Sequence, residues 1–375
     1  MWHRAKGPLA GAVALAALLA VLAALSGGSE SSDTETGRRP APEFLGLVAE
    51  DAFGKPGAYR RENLDRVRAA GAGLVRQTFD WARIERAPGR YELSFYDSYV
   101  AALARRRLRL LPILFNPPAF RSSAPARPRR GTYPPRRPAD MGEFGVVLVR
   151  RYGPRGSFWR DHPELARLPI RSWQVWNEPN LTVYWPRGPD AGEYVELLRA
   201  TARGIRRVDP GAEIVTAGLP DSTRGVPLTG YVEAVYAAGG AGAFDALAVN
   251  PYGKDPSAVL DTLRAVRAIA AANGDNPALW VTELGWATGG PPSNFRVSER
   301  RQAALLERTL LALARRREEL RLRGVVYFNW RDSTPYAGGR DFFGLHTGLL
   351  RLGGSAKPAL VSYKKVAKRL GLMRH

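Results

Sequence analysis

From residue 44 onward the sequence repeats one pattern eight times: a short apolar segment, a loop and an amphipathic helix. The segments expected to form strands are 44–50, 74–80, 109–115, 172–178, 213–219, 246–252, 279–285 and 324–330. The expected helices are 60–71, 95–107, 140–152, 190–208, 228–238, 256–273, 298–321 and 358–370. Eight strand–helix units in one chain predict an α/β protein with a closed (β/α)8 barrel, the TIM-barrel fold, in a single domain.

Glutamates near the C-terminal ends of two predicted strands, Glu178 in 172–178 and Glu283 in 279–285, are the candidate catalytic residues. The C-terminal ends of barrel strands carry the active site. Two carboxylates there can share the cleavage of a glycosidic bond: one stays ionised as a nucleophile, and its charge raises the pKa of the other, which acts as an acid. For either glutamate taken alone, a solvated residue at the start of a loop is the alternative.

The residues around Glu178 pose a geometric problem. Asn177 and Glu178 are neighbours, so an extended strand would point their side chains to opposite faces. Both can reach one site only if the chain bends or bulges at this point. Pro179 disfavours helical geometry in the residue before it, and we therefore expect an extended backbone at Glu178.

Alternation along the other strands assigns side chains to shared faces. The expected groups are Glu283 with Val281 and Leu279, Trp330 with Phe328, Tyr252 with Asn250, and Arg76 with Leu74. If these faces point into the barrel, their last residues lie at the catalytic end.

The runs Trp176-Asn177-Glu178-Pro179-Asn180 and Thr282-Glu283-Leu284-Gly285-Trp286 resemble clan A of the glycoside hydrolases, which are retaining (β/α)8 barrels. The resemblance spans about residues 43–372, and within the clan the chain is most similar to family 39 and related bacterial endoglycosidases. Many clan members carry His-x-Tyr after strand six, whereas this chain has Asn250-Pro251-Tyr252. The resemblance therefore implies the chemistry of the clan, with different contacts at residue 250.

The resemblance also implies roles for individual residues. Glu178 would be the general acid/base and Glu283 the nucleophile. The residues expected to contact the substrate or the two glutamates are Arg76, Asn177, Asn250, Tyr252, Trp286 and Trp330. Asn177 would donate to the 2-hydroxyl of the sugar, Arg76 and Tyr252 would bind Glu283, and Trp330 would form an apolar platform under the sugar. The alternatives are a structural ion pair for Arg76 and a core position for Trp286, as for Trp81 and Trp185.

The composition limits the chemistry. The chain has no cysteine, which excludes disulfides, a thiol nucleophile and cysteine metal sites. Its four histidines lie far apart in sequence and form no HExxH-type pair. We therefore expect neither a metal nor another cofactor.

The N-terminal segment has the composition of an export signal. Arg4 and Lys6 precede a run of 17 uncharged residues, from Leu9 to Leu25. We expect residues 1–26 to be a signal peptide or an uncleaved membrane anchor, residues 27–42 a flexible linker, and residues 43–375 the catalytic domain. This organisation predicts a secreted or surface-anchored protein that contacts the membrane only through its N-terminal segment.

The chain has 56 basic and 35 acidic residues, and its net charge of +21 favours anionic partners. The arginines form no DNA-reading motif, so we expect no nucleic-acid partner. Six of them lie in the loop after strand three: Arg121, Arg127, Arg129, Arg130, Arg136 and Arg137. We expect this loop to border the catalytic face and to help hold an anionic polymer, either the substrate itself or a polymer at the cell surface. A solvated or disordered loop is the alternative.

Three functions compete at this point. The leading one is a secreted or surface-anchored retaining glycosidase that acts on a β-linked oligo- or polysaccharide. The second is a catalytically silent carbohydrate-binding barrel, although binding alone needs no pair of glutamates. The third is a surface protein that binds polyanions. The sugar, its linkage and the choice between endo and exo cleavage stay open.

Overall fold

The computed structural model describes residues 39–335 and 339–373, and within them eight parallel strands close into a barrel. The strands are β1 Leu45–Val48, β2 Leu74–Asp80, β3 Arg109–Phe115, β4 Ser172–Val175, β5 Glu213–Val215, β6 Ala246–Asn250, β7 Ala278–Val281 and β8 Leu322–Tyr327. Each strand pairs in parallel with the next, and β8 pairs with β1. The predicted (β/α)8 barrel is confirmed.

One long helix follows each strand. The helices are α1 Ala58–Ala69, α2 Ser94–Ala104, α3 Pro138–Tyr152, α4 Ala191–Val208, α5 Leu228–Ala237, α6 Pro256–Ala272, α7 Glu299–Arg315 and α8 Pro358–Arg369. Polar caps fix where several of them begin: the side chains of Asp190, Asp255 and Ser298 accept hydrogen bonds from the first turns of α4, α6 and α7. No helix among the described residues is long and apolar enough to cross a membrane.

Shorter elements decorate the loops. They are the helices Glu50–Gly54, Trp81–Ile84 and Ser157–Asp161, the 3₁₀ helix Phe343–His346, the antiparallel hairpin Glu85–Ala87 with Arg90–Tyr91, and the segment Leu219–Pro220, which pairs with β6. The predicted signal segment lies outside the described residues, as does the linker as far as residue 38.

Several predicted boundaries are wrong, mostly at C-terminal ends. Six strands stop two to four residues before the predicted end: β1, β4, β5, β6, β7 and β8. The predicted helix 298–321 ends at Arg315, because the chain then turns and Arg321 adopts a left-handed φ of 49°. The early strand ends matter for the site, because alternation stops where strand geometry stops.

A small apolar cluster fills the barrel interior. Its members come from seven strands: Val48, Leu74, Leu111, Val215, Ala246, Ala248, Ala278, Trp280 and Val326, with Phe328 packed against it. Leu279 and Val281 belong instead to the larger core between the strands and the helices. The expected face of Val281 and Leu279 therefore points away from the barrel interior, and Trp280 is the β7 side chain that points inward.

The indole of Trp280 fits in the interior only because β8 carries a glycine opposite it. A Cβ atom at Gly324 would lie 2.5 Å from Cζ3 of Trp280. We expect Gly324→Ala to lower the free energy of unfolding by about 1–3 kcal/mol, because overpacking forces the buried ring to shift. Denaturant unfolding checks this, with Gly353→Ala as the control, since a Cβ there meets nothing within 4 Å. Equal losses in the two variants would contradict the prediction.

Candidate active site

The chain turns sharply directly after β4. Trp176 and Glu178 have φ values of 74° and 43°, in the left-handed region that non-glycine residues rarely adopt. Tertiary contacts hold this turn: the Trp176 indole Nε1 donates to the Tyr184 carbonyl, and the Trp176 N–H donates to the Leu114 carbonyl of β3. The expected bend is present and lets Asn177 and Glu178 face one site. The expected extended backbone at Glu178 is wrong, because these contacts outweigh the preference imposed by the following proline.

Arg76 organises one half of the site from β2. Its guanidinium is 3% exposed and donates in three directions. Nε donates to Gln174 Oε1 (2.7 Å), Nη1 to Glu283 Oε1 (2.7 Å) and Nη2 to Asn177 Oδ1 (3.0 Å). Because the Asn177 oxygen accepts from Arg76, its amide nitrogen is left to donate to a ligand. The arginine therefore orients two residues of the site through one ion pair and two hydrogen bonds.

Tyr252 binds the other oxygen of Glu283. Its hydroxyl donates to Glu283 Oε2 at 2.8 Å, so both carboxylate oxygens of Glu283 have a donor. Desolvation, followed by the charge of Glu283, raises the pKa of Tyr252 well above its usual value. Tyr252 therefore stays a neutral donor and holds Glu283 in one orientation.

The environment of Glu178 is different. Asn250 Nδ2 donates to Glu178 Oε1 at 2.8 Å, and Thr282 Oγ1 donates to Asn250 Oδ1 at 2.8 Å, which fixes the orientation of the amide. Desolvation and then the charge of Glu283 raise the pKa of Glu178 to about 8, against the lowering effects of Asn250 and Arg76. Glu178 is therefore protonated at neutral pH, as a general acid must be.

The two sets of hydrogen bonds cross between β4 and β7. The set that holds Glu283, after β7, includes Asn177 after β4. The set that holds Glu178, after β4, includes Thr282 after β7. Each strand end thus carries one of the two glutamates together with a residue that helps to position the other.

The hydrogen bond from Asn250 tunes the acidity of Glu178, which gives a prediction about pH. Asn250→Leu keeps the size of the side chain but removes a donor that lowers the pKa of Glu178. The acid should then stay protonated to higher pH, and the alkaline limb of the kcat/KM profile should move upward. The measurement compares profiles of variant and parent on a substrate with a poor leaving group. An alkaline limb at the same or a lower pH would count against this role.

The predicted tryptophans do not line the site. Trp330 is fully buried, and its Nε1 donates to Asn63 of α1 at 3.2 Å. Trp286 is also buried and donates to the Gly253 carbonyl, as expected for a core residue. Trp81 and Trp185 are buried as well. The platform role of Trp330 and the substrate role of Trp286 are therefore not supported, and the alternative of a core position describes all four tryptophans.

Phe328 takes the position that alternation assigned to Trp330. β8 ends at Tyr327, and beyond it Phe328 packs against the interior cluster while Trp330 lies in the larger core, so the two aromatic residues do not share a face. Phe328 is half-buried and caps the interior cluster at the catalytic end of the barrel. It therefore offers an apolar surface at the base of the site.

Glu50 is a third carboxylate near the site, and it is not among the site residues predicted from the sequence. It follows β1 by two residues, and its side chain is exposed while Ala49 and Ala52 beside it are buried. Desolvation, followed by the charge of Glu283, raises its pKa, so Glu50 lies within electrostatic reach of Glu283. The signal was present, because the predicted strand 44–50 ends on this glutamate.

The arginine-rich loop is ordered. The Ser123 N–H donates to the Pro134 carbonyl, and the Thr132 N–H donates to the Val183 carbonyl in the loop after β4. Arg121 forms ion pairs with Glu85 (2.9 Å) and Asp140 (3.4 Å), and Arg137 also pairs with Asp140. The alternative of a disordered loop is wrong, and fewer of its six charges are unbalanced than the sequence implied.

In the described part of the chain, no group of three or more His, Asp or Glu residues could hold a metal ion.

Comparisons with known proteins agree on the fold. No protein-family model matches the sequence. A stretch of 47 residues, 12% of this chain and 9% of the relative, is 40% identical to a β-xylosidase of Geobacillus stearothermophilus. A family 39 glycoside hydrolase from Bacteroides cellulosilyticus WH2 matches with a TM-score of 0.65 and 20% identity, over 88% of this chain and 64% of that one. A family 39 β-xylosidase from Caulobacter crescentus matches with a TM-score of 0.61 and 20% identity, over 89% of this chain and 73% of that one.

These matches show that the chain shares the barrel fold of family 39 glycoside hydrolases, as the resemblance implied. The chain spans less than two thirds of the Bacteroides protein and only a small part of the Geobacillus protein.

Proposed function

We propose that this chain is a retaining glycoside hydrolase that cleaves a β-linked oligo- or polysaccharide. One observation carries the proposal: the two glutamates at the barrel mouth have opposite environments. Glu283 is bound by a guanidinium and a phenol, whereas the pKa of Glu178 is raised to about 8. An ionised nucleophile beside a protonated acid is what double displacement requires.

In the first step, a carboxylate oxygen of Glu283 attacks the anomeric carbon, and Glu178 gives its proton to the departing glycosidic oxygen. The product is a glycosyl ester of Glu283. That ester carries no charge, so the pKa of Glu178 falls and the ionised group accepts a proton from water. The water oxygen attacks the anomeric carbon and releases Glu283 as a carboxylate. Two inversions leave the configuration of the sugar unchanged.

The substrate class rests on three supports. The amide nitrogen of Asn177 is available to donate to the sugar 2-hydroxyl, a contact that strengthens in the transition state. Phe328 offers an apolar surface at the base of the site. The relatives described as β-xylosidases support a β-linked substrate.

The test is a screen of aryl β-glycosides and neutral polysaccharides with the purified protein, followed by proton NMR of the first product. Hydrolysis with a β-configured first product supports the proposal. An α-configured first product would make the enzyme inverting. Binding of these ligands without hydrolysis would support the competing function, a catalytically silent carbohydrate-binding barrel.

We also propose that the protein is exported, with residues 1–26 as a signal peptide or membrane anchor. The support is the basic start followed by 17 uncharged residues. N-terminal sequencing and fractionation of expressing cells test this. A chain that begins near residue 27 outside the cell indicates cleavage, and an intact chain in the membrane indicates an anchor. An intact chain in the cytoplasm would refute export.

A further proposal is that the arginine-rich loop holds an anionic polymer at the cell surface. The proposal is supported by two exposed arginines of the loop, Arg127 and Arg129, because neither has an ion pair among the described residues. We expect Arg127→Gln with Arg129→Gln to weaken binding to an acidic polysaccharide and to reduce its salt dependence. Turnover of a small neutral aryl glycoside is the control. Polymer binding that is unchanged across a salt series would refute the proposal.

A further inference from the structure

A cluster of aromatic rings continues outward from the residue that binds Glu283. Tyr252 contacts Phe343 edge-on, with ring centroids 5.3 Å apart, and contacts Phe295 at 5.7 Å. Phe295 and Phe343 lie 5.0 Å apart, and Phe342 contacts Phe343 at 6.1 Å. We call these four residues, Tyr252, Phe295, Phe343 and Phe342, the aromatic wall. The wall is built by the loops after β6, β7 and β8.

Exposure increases along the wall. Tyr252, Phe295 and Phe343 are half-buried, while Phe342 at its outer end is 42% exposed. Packing between loops explains the three inner rings, since each has several partners. It does not explain the ring of Phe342, which adds exposed apolar surface two ring contacts away from the tyrosine that binds Glu283.

The loops that carry the wall are tied to each other. The Thr288 N–H donates to the His346 carbonyl, which joins the β7 loop to the β8 loop. The buried Lys357 donates to Thr288 Oγ1 (2.7 Å) and Asp332 Oδ1 (2.8 Å), and so binds both loops from below. Phe342 is held by Gly344, where a Cβ atom would lie 2.4 Å from its ring. The wall is therefore a preformed surface, which reduces the entropy lost when a ligand binds to it.

We propose that the aromatic wall binds a further sugar unit of an extended, neutral glycan, beyond the bond that is cleaved. The inference rests on the proposed glycosidase function and extends it to the length of the substrate. A sugar ring presents an apolar face of C–H groups, which an aromatic ring can cover while the hydroxyls stay in water. Two ring-to-ring steps lead from Tyr252 to Phe342, so the wall extends past the sugar at the nucleophile. It would therefore favour chains over single glycosides.

The experiment uses the full chain and Phe342→Ala, with Val361→Ala as the matched control. Val361 is an apolar side chain, 68% exposed on α8, so its loss removes surface of similar character outside the wall. The probes are β-1,4-linked xylo-, cello-, manno- and galacto-oligosaccharides, from disaccharide to hexasaccharide. For each ladder that is cleaved, the readout is the ratio of kcat/KM for the hexasaccharide to that for the disaccharide.

We expect this ratio to exceed one in the parent and in Val361→Ala, and to fall about tenfold in Phe342→Ala, the effect of losing one buried aromatic contact. A ratio that is the same in Phe342→Ala and the parent, or a ratio of one in the parent, would overturn the inference.

Binding separates this inference from the proposed function. Titration calorimetry of the hexasaccharides against the Glu283→Gln protein needs no turnover. We expect Phe342→Ala in that background to weaken binding about tenfold as well. Weaker binding together with a parent that hydrolyses no glycoside would refute the hydrolase and keep the wall. Hydrolysis by the parent, together with hexasaccharide binding that Phe342→Ala leaves unchanged, would support the hydrolase and refute the sugar-binding role of the aromatic wall.

Discussion

We expect Glu283→Ala to lose turnover of every glycoside, by a factor on the order of 10⁴ or more, because Glu283 is the group that forms the covalent intermediate in the proposed mechanism. The loss should not depend on the leaving group, since attack at the anomeric carbon is needed for all substrates. Arg76 and Tyr252 bind the carboxylate that is removed, so they cannot replace it. Initial rates on a series of aryl glycosides measure the effect.

Azide provides the control for the Glu283 variant. The small anion can enter the space left by the carboxylate and attack an activated aryl glycoside from the same face. The product should then be a glycosyl azide of inverted configuration, identified by NMR. Glu283→Ala that keeps a substantial part of the parent's activity without azide would show that the nucleophile is another residue.

We expect Glu178→Ala to divide substrates by their leaving groups. Loss of a general acid typically costs about 10²–10⁴ in rate where protonation of the leaving oxygen is needed. Substrates with poor leaving groups should show that loss, while glycosides of acidic phenols should still form the intermediate quickly. The alkaline limb of the profile should also disappear, because the group with the raised pKa is gone. Measuring kcat/KM across phenols of graded acidity checks both effects.

Azide should rescue this variant in the opposite stereochemical sense. It attacks the glycosyl ester of Glu283 without needing a base, and the product is a glycosyl azide of retained configuration. Two results would exclude Glu178 as the acid/base: an equal loss for good and poor leaving groups, or azide products of inverted configuration.

The barrel could be predicted because its pattern is local. Each of the eight apolar segments overlaps a strand, and each predicted helix overlaps a helix, since hydrophobic periodicity and capping residues such as Asp255 and Ser298 act over a few residues. The glutamates follow from the same pattern, because parallel strands bring their C-terminal ends together.

The predictions that were wrong concern features that depend on tertiary contacts. Alternation grouped Trp330 with Phe328, and Glu283 with Val281, by continuing strand geometry past the residues where β8 and β7 end. The left-handed turn at Trp176 is stabilised by contacts with Leu114 and Tyr184, which nothing local in the sequence reveals.

The aromatic residues illustrate the same limit. Tryptophan is a familiar partner for sugars, but here the candidates Trp286 and Trp330 are fully buried and form hydrogen bonds within the core. The partly exposed rings that pack against Tyr252, the partner of Glu283, are phenylalanines on loops, Phe295 and Phe343, whose position depends on how the loops after β7 and β8 bind each other. Residue type alone could not separate the two groups.

In the proposed retaining mechanism, the crossed hydrogen bonds between β4 and β7 make the stereochemical outcome resistant to change. An inverting enzyme needs its carboxyl groups roughly 6.5–9.5 Å apart so that a water molecule fits between the sugar and the base, a wider gap than retention requires. Here two separate sets of hydrogen bonds, which act as ties, connect the ends of β4 and β7. One runs through Arg76 and Asn177, and the other through Asn250 and Thr282. Cutting either tie leaves the other to hold the strand ends together. A route from retention to inversion in this barrel would therefore have to shorten a carboxylate side chain, because moving the backbone would require breaking both ties at once.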